Sequence, residues 1–269
     1  MRMLVPVVIL VCAGSAAAAA AAGVPAGLAA HRAIYDLSLK NARDSSGIED
    51  VDGRMVYEFV GSACEGYTVS FRFVTEINTG EDLRLTDQQT TTYEDIRTRR
   101  FDFSTRSYID RELDHEVRGK AGISEGDVSV HLEEPEKKDM DIGSALFPTE
   151  HMIELIDKAK AGETFYQSRI YDGSDAADRA MLTTTVIGAP RTAKAGKGHL
   201  DELSGENFWP VAISYFDEEA EGDQMPKYFT TFKLYENGVT QDLTMDYGDF
   251  VLEGRLAELE LIEREPCAG

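Results

Sequence analysis

Apolar and polar residues alternate with a period of two along most of this chain. Ala33, Tyr35, Leu37 and Leu39 fall on one face, with Ile34, Asp36, Ser38 and Lys40 on the other. Val69, Phe71, Phe73 and Ile77 share a face opposite Ser70, Arg72 and Glu76, and the pattern returns at Leu83/Leu85, Phe101/Phe103 and Val128/Val130/Leu132. Such alternation is what half-buried antiparallel strands require. Turn signals punctuate it at Asp52-Gly53, Asn78-Thr79-Gly80, Asp172-Gly173 and Asn237-Gly238. The last lies between "YFTTFKLYE" and "VTQDLTM" and predicts a hairpin. Near the end, "RLAELELIER" alternates as a final strand, with Leu256, Glu258, Glu260 and Ile262 on one face, and Gly248 marks a bulge or tight bend.

One segment follows a different period. "FPTEHMIELIDKAKAGE" puts Met152, Leu155, Ile156 and Ala159 on one helical face. Thr149 reads as the N-cap after Pro148 and Gly162 as the stop, so an amphipathic helix over about 149–161 packs against a sheet. The class is therefore all-β with minor helix. So many strands need closure into a barrel or a strongly coiled sheet, because open edges invite aggregation. Without a Pro/Gly/Ser linker or internal repeat, residues 31–269 read as a single domain. The charged stretch in "HLEEPEKKDMDIG" reads as its mobile loop.

The N-terminus changes the picture by assigning a compartment. Met1-Arg2, the apolar run Leu4 to Val11 and the alanine-rich tract after it form a secretory signal peptide over residues 1–22, with a cleavage bond that the small residues allow as late as about 30. Its apolar part is too short to span a bilayer, and no later segment is apolar enough to do so. Cys12 leaves with the signal, since Val11 stands where a lipoprotein site needs a small residue. Cys64 and Cys267 remain. In an oxidising compartment such a pair reads as bridged, the other reading being two unrelated buried thiols.

Charge and motifs then narrow the chemistry. The 49 acidic and 27 basic residues give a formal charge of −22, which opposes binding to nucleic acid and to anionic membrane surfaces. The histidines His31, His115, His131, His151 and His199 form no metal-ligand pair, and the sequence holds no nucleophile elbow, P-loop or dinucleotide motif. No cofactor or metal is expected. His151, next to Glu150 at the helix start, is the candidate for an acid-base role in a site assembled from distant residues, against the plainer reading of a polar first-turn residue. "DEEAEGD" and "GIEDVDG" gather carboxylates without the spacing of a calcium loop. Arg97, Arg99, Arg100 and Arg106 cluster in "DIRTRRFDFSTR". With Phe101 and Phe103 inward, Arg97 and Arg99 share their side and become ligand candidates, the alternative being a charged edge strand. Trp209 and Tyr215 in "FWPVAISYF", with Phe216, Tyr247 and Phe250, are candidates for stacking on a ligand or for ordinary core packing.

The ordered motifs "HRAIYDLSL", "DGRMVYEFVGSACEGY", "FPTEHMIELIDKAKAGE", "YDGSD", "WPVAISYF" and "MDYGDFVLEGRLAELELI", followed by Cys267, resemble the EipB family of alphaproteobacterial periplasmic cell-envelope integrity proteins. The resemblance spans about His31 to Cys267. It implies a large antiparallel sheet wound into a spiral or broken barrel, an internal cavity, a helix packed against the sheet and a Cys64–Cys267 disulfide. It also implies a periplasmic monomer needed for envelope-stress resistance, and it brings no catalytic motif. Three functions follow as expectations. The first is a non-enzymatic periplasmic factor supporting envelope integrity through a ligand-holding cavity or by docking an envelope protein. The second is a lipid or lipoprotein carrier for an amphipathic, lipid-like ligand. The third is a hydrolase with a dispersed site.

Overall fold

The computed structural model describes residues 27–174, 177–194, 198–217 and 225–263. The expected signal peptide, Cys12 and Cys267 lie outside them. The elements are β1 (His31–Ala42), β2 (Asp50–Ser62), β3 (Gly66–Asn78), β4 (Leu83–Asp95), β5 (Arg100–Ile109), β6 (Glu112–Ser124), β7 (Asp127–Glu134) and β8 (Lys138–Ser144). They continue with α1 (Pro148–Ala161), β9 (Phe165–Ile170), β10 (Met181–Ile187), β11 (Arg191–Thr192), β12 (Asn207–Phe216), β13 (Tyr228–Tyr235), β14 (Thr240–Asp246) and β15 (Phe250–Leu261).

All strands but β11 lie in one continuous antiparallel path, in the order β8-β7-β6-β5-β4-β3-β2-β1-β15-β14-β13-β12-β10-β9, with β11 paired to β12. Hairpin connections make this order almost unavoidable, because neighbours in sequence become neighbours in space. The first and last strands, β1 and β15, pair along their length in the middle of the sheet. The free edges are therefore β8 and β9, which the chain joins through α1. The sheet curls until these edges almost meet, leaving one seam in a nearly closed barrel. Leu146 fastens one end of that seam. It pairs in parallel with Ile170, donates its N–H to the Arg169 carbonyl (2.8 Å) and accepts from the Tyr171 N–H (2.9 Å).

Register assigns the faces. Ala33, Tyr35 and Leu37 lie opposite Tyr57, Met55 and Gly53, and these lie opposite Phe71, Phe73 and Thr75, so the odd positions of β1 to β3 face the lumen together. The apolar face of α1 fills one end of the lumen. Leu155, Ile156 and Ala159 pack with Phe59, Tyr67, Trp209, Val211, Ile213 and Leu234, all buried. A second cluster joins Phe101, Phe103 and Val117 to Phe147 and Tyr171 beside the seam.

Several local expectations change. Asp52-Gly53 does not turn; it lies inside β2, where a side chain at Gly53 would meet the Val74 carbonyl. The charged middle stretch is a hairpin, with β8 paired to β7 from Asp127↔Ser144 to Leu132↔Lys138, rather than a free loop. Arg97 and Arg99 do not share the phenylalanine face. They sit in the β4–β5 turn, Arg99 at φ +52°, and β5 is an interior strand of the sheet rather than an edge. Strict alternation also fails in β15, where a register shift opposite Ile34/Tyr35 lets Leu256 and Leu259 both be buried. Gly248, at φ +87°, forms the β14–β15 bend.

Candidate functional site

The lumen has two chemically different walls. On one side β2, β3, β12, β13 and β15 present rings and aliphatic groups. Phe71 and Phe73 stack at 6.0 Å, and a row of rings runs Tyr215–Tyr228 (4.1 Å), Tyr228–Tyr247 (6.5 Å) and Tyr247–Phe250 (5.2 Å). Beside β3, β4 and part of β5 face inward with hydroxyls and amides. Thr86, Gln88, Thr90 and Thr92 of β4 lie opposite Thr75, Phe73, Phe71 and Val69, and opposite Ile109, Ser107, Thr105 and Phe103 of β5. Their hydroxyls pair across strands, Thr75–Thr86 at 2.6 Å and Thr90–Thr105 at 2.9 Å. Phe71, Phe73, Gln88, Thr90 and Met245 face inward yet are only half-buried. Phe71, Phe73 and Met245 pack on the buried core around Tyr35, Leu37 and Met55, and their partial exposure leaves the inward face away from α1 accessible to solvent.

Towards α1 the lumen narrows to a cavity of about 130 Å³ bounded by Leu28, His31, Tyr57, Phe59, Val69 and Met152. His31 lies beside the Tyr57 and Phe59 rings at 5.7 and 6.0 Å, with Nδ1 2.8 Å from the Ala29 carbonyl. Burial lowers its pKa, an effect the Ala29 hydrogen bond opposes. Burial also raises Tyr57, aided by Tyr35 and Glu94, and pushes Tyr35 up to about 12 although its hydroxyl donates to the Thr240 carbonyl at 2.7 Å.

Glu94 joins the polar wall to the helix. Phe147 occupies the N-cap position and cannot cap, so the expected role of Thr149 is filled from another element. The buried Glu94 carboxylate, at the end of β4, accepts the Thr149 N–H at 2.7 Å and the Glu150 N–H at 2.9 Å. Burial raises its pKa to about 7, although those two N–H groups stabilise the charged form. Glu150 in turn holds Arg99 at 2.9 Å, so the β4–β5 turn clasps the first turn of α1 twice.

The sequence candidates are thus dispersed. Arg99 serves the clasp, and Arg97 is exposed beside Asp95 at 3.8 Å. Trp209 is a buried core residue packed on α1, while Tyr215 begins the aromatic row. Cys64 lies just past β2, beside Ala63 at the outer rim of α1. His151 is buried, its pKa lowered by burial to about 4, and its Nε2 has no hydrogen-bond partner. His131, paired with Asp139 at 2.6 Å, lies exposed on the β7–β8 hairpin. Among the described residues no group of three or more His, Cys, Asp or Glu is placed to hold a metal, and no helix is long and apolar enough to cross a membrane. Sequence reading missed Glu94 and the hydroxyl wall, although every second position from Thr86 to Glu94 is polar in a strand whose other positions are polar too.

Comparison with known proteins agrees with this architecture. The EipB-like family profile matches residues 21–263. The cell envelope integrity protein EipB of Brucella abortus (strain 2308) is 48% identical over 238 residues, covering 88% of this chain and 85% of that protein. A crystal structure of a beta-barrel-like protein of a domain of unknown function from Brucella abortus superposes with a TM-score of 0.85 at 47% identity, covering 88% of this chain and 99% of that one.

Proposed function

This chain belongs to the EipB-like family, and on that premise we propose that it is a non-enzymatic periplasmic protein that supports envelope integrity by holding an amphipathic, lipid-like ligand in its lumen. The single observation that carries the reading is the divided lumen. A purely structural barrel has no use for half-buried phenylalanines set beside inward threonines and a glutamine, Phe71 next to Thr90 and Phe73 next to Gln88 across the β3–β4 pairing. An amphipathic molecule matches both walls at once, its chain against Phe71, Phe73 and the aromatic row and its polar part against Thr90, Gln88 and Thr105. The relative named for cell envelope integrity supports the cellular role. Neither that name nor the family description is that of an enzyme, and among the described residues the buried His151 Nε2 has no hydrogen-bond partner, which speaks against the dispersed hydrolase.

Export by the N-terminal signal and a Cys64–Cys267 bridge belong to the same proposal. β2 and β15 flank β1 and run in the same direction, His31 facing Phe59 on one side and Leu261 on the other. Cys64 follows Phe59 by five residues and Cys267 follows Leu261 by six. Two strand spacings separate those strands by roughly 10 Å, and a disulfide needs Cα atoms about 4.4–6.8 Å apart, so a modest convergence past the start of β1 suffices.

Titration with the fluorescent fatty acid cis-parinaric acid tests the lumen. The expected result is saturable, near-stoichiometric binding that weakens at least tenfold in the Phe71→Glu/Phe73→Glu variant, with folding checked by circular dichroism. Absence of saturable binding, or equal binding by the variant, would contradict it.

A further inference from the structure

Two depressions meet along α1. The larger, an open groove of about 680 Å³, has an apolar floor of Ile96, Leu146 and Ile153. The smaller, about 80 Å³, shares Ile96, Ile153 and Asp157 with it, so the two form one trough. Four carboxylates line the groove: Glu150, Glu154, Asp157 and Glu163. Two are neutralised within the chain, Glu150 by Arg99 at 2.9 Å and Glu163 by Lys158 at 3.2 Å. Glu154 and Asp157 pair with no cation among the described residues. They stand three residues apart on one helix, where like charges repel.

One buried atom adds an independent indication: Glu154 Oε2, in an otherwise half-buried side chain, is buried without a hydrogen-bond partner. Buried polar atoms are nearly always satisfied, and a buried carboxylate without a counter-charge costs stability until a cation reaches it. A small metal ion does not answer the need, because no three-ligand cluster exists among the described residues. An anionic membrane surface is repelled by the same carboxylates and by the net charge of −22.

We propose that this trough docks a cationic amphipathic segment of a partner protein, with apolar side chains on Ile96, Leu146 and Ile153 and a lysine or arginine reaching Glu154 and Asp157. The inference goes beyond the lumen reading and stands or falls separately from it. A synthetic Leu/Lys amphipathic helix serves as the probe and a Leu/Glu helix as its control, with binding followed by fluorescence anisotropy at physiological salt. The Leu/Lys helix is expected to bind and to weaken at least tenfold on Glu154→Lys/Asp157→Lys. The same reversal at the distant exposed pair, Glu81→Lys/Asp82→Lys, should leave its affinity within about twofold. If the charge reversal at α1 does not fold, Glu154→Gln/Asp157→Asn replaces it with a smaller expected loss. No binding of the Leu/Lys helix, equal weakening by both reversals, or equal binding of the Leu/Glu helix would each overturn the proposal.

Discussion

Glu94 concentrates the residue-scale physics of this molecule. Its carboxylate is buried without a neighbouring cation, yet it satisfies two N–H groups that Phe147 leaves open at the start of α1. Burial outweighs those hydrogen bonds and lifts its pKa from 4.5 to about 7. The folded protein therefore holds this proton more tightly than the unfolded chain does. The linked stability is fully present below about pH 4.5, declines as pH rises, and levels off above about pH 7, a change of at most ~3.5 kcal/mol. Glu94→Gln should flatten that slope in melting temperatures measured from pH 4 to 8; an unchanged slope would remove Glu94 as its source. Gly173 carries the second residue-scale expectation. It adopts φ +67°, and a Cβ there would lie 2.5 Å from the Phe103 ring. Gly173→Ala should cost about 2 kcal/mol or more in denaturant unfolding. The sequence announced a turn at Asp172-Gly173, but the ring that forbids a side chain comes from β5, and no local pattern reports that contact.

At the scale of elements, alternation found the strands because each buries one face and wets the other. It failed where the lumen itself is wet: β4, polar on both faces, carries no apolar stripe over Thr86–Glu94, and its inward wall became visible only from its register with β3 and β5. The helix was legible from its period, whereas its cap was not, because Glu94 lies 55 residues upstream of Thr149. Pairing of β1 with β15 puts the first and last strands in the middle of the sheet, and the proposed Cys64–Cys267 bridge would hold the end of β15. Cys267→Ser should lower the melting temperature by about 5–10 °C, corresponding to the roughly 2–4 kcal/mol that a disulfide typically contributes. Thiol labelling of the unfolded, non-reduced protein should leave both cysteines unmodified. A free thiol at Cys64 or an unchanged melting temperature would count against the bridge.

At the scale of the whole molecule, a sheet that curls almost shut, with α1 packed into one end, presents inward residues of mixed polarity within a strongly acidic chain. That charge keeps the protein away from anionic surfaces and soluble, while the lumen offers what amphipathic molecules lack in water. Lumen occupancy is the central claim. Native mass spectrometry of the protein purified gently from the cells that express it, followed by lipid extraction of the same sample, tests it most directly. The account predicts a near-stoichiometric adduct of lipid mass that is lost in Phe71→Glu/Phe73→Glu. Repeated preparations of folded protein at the bare polypeptide mass, with no extractable lipid, would contradict it.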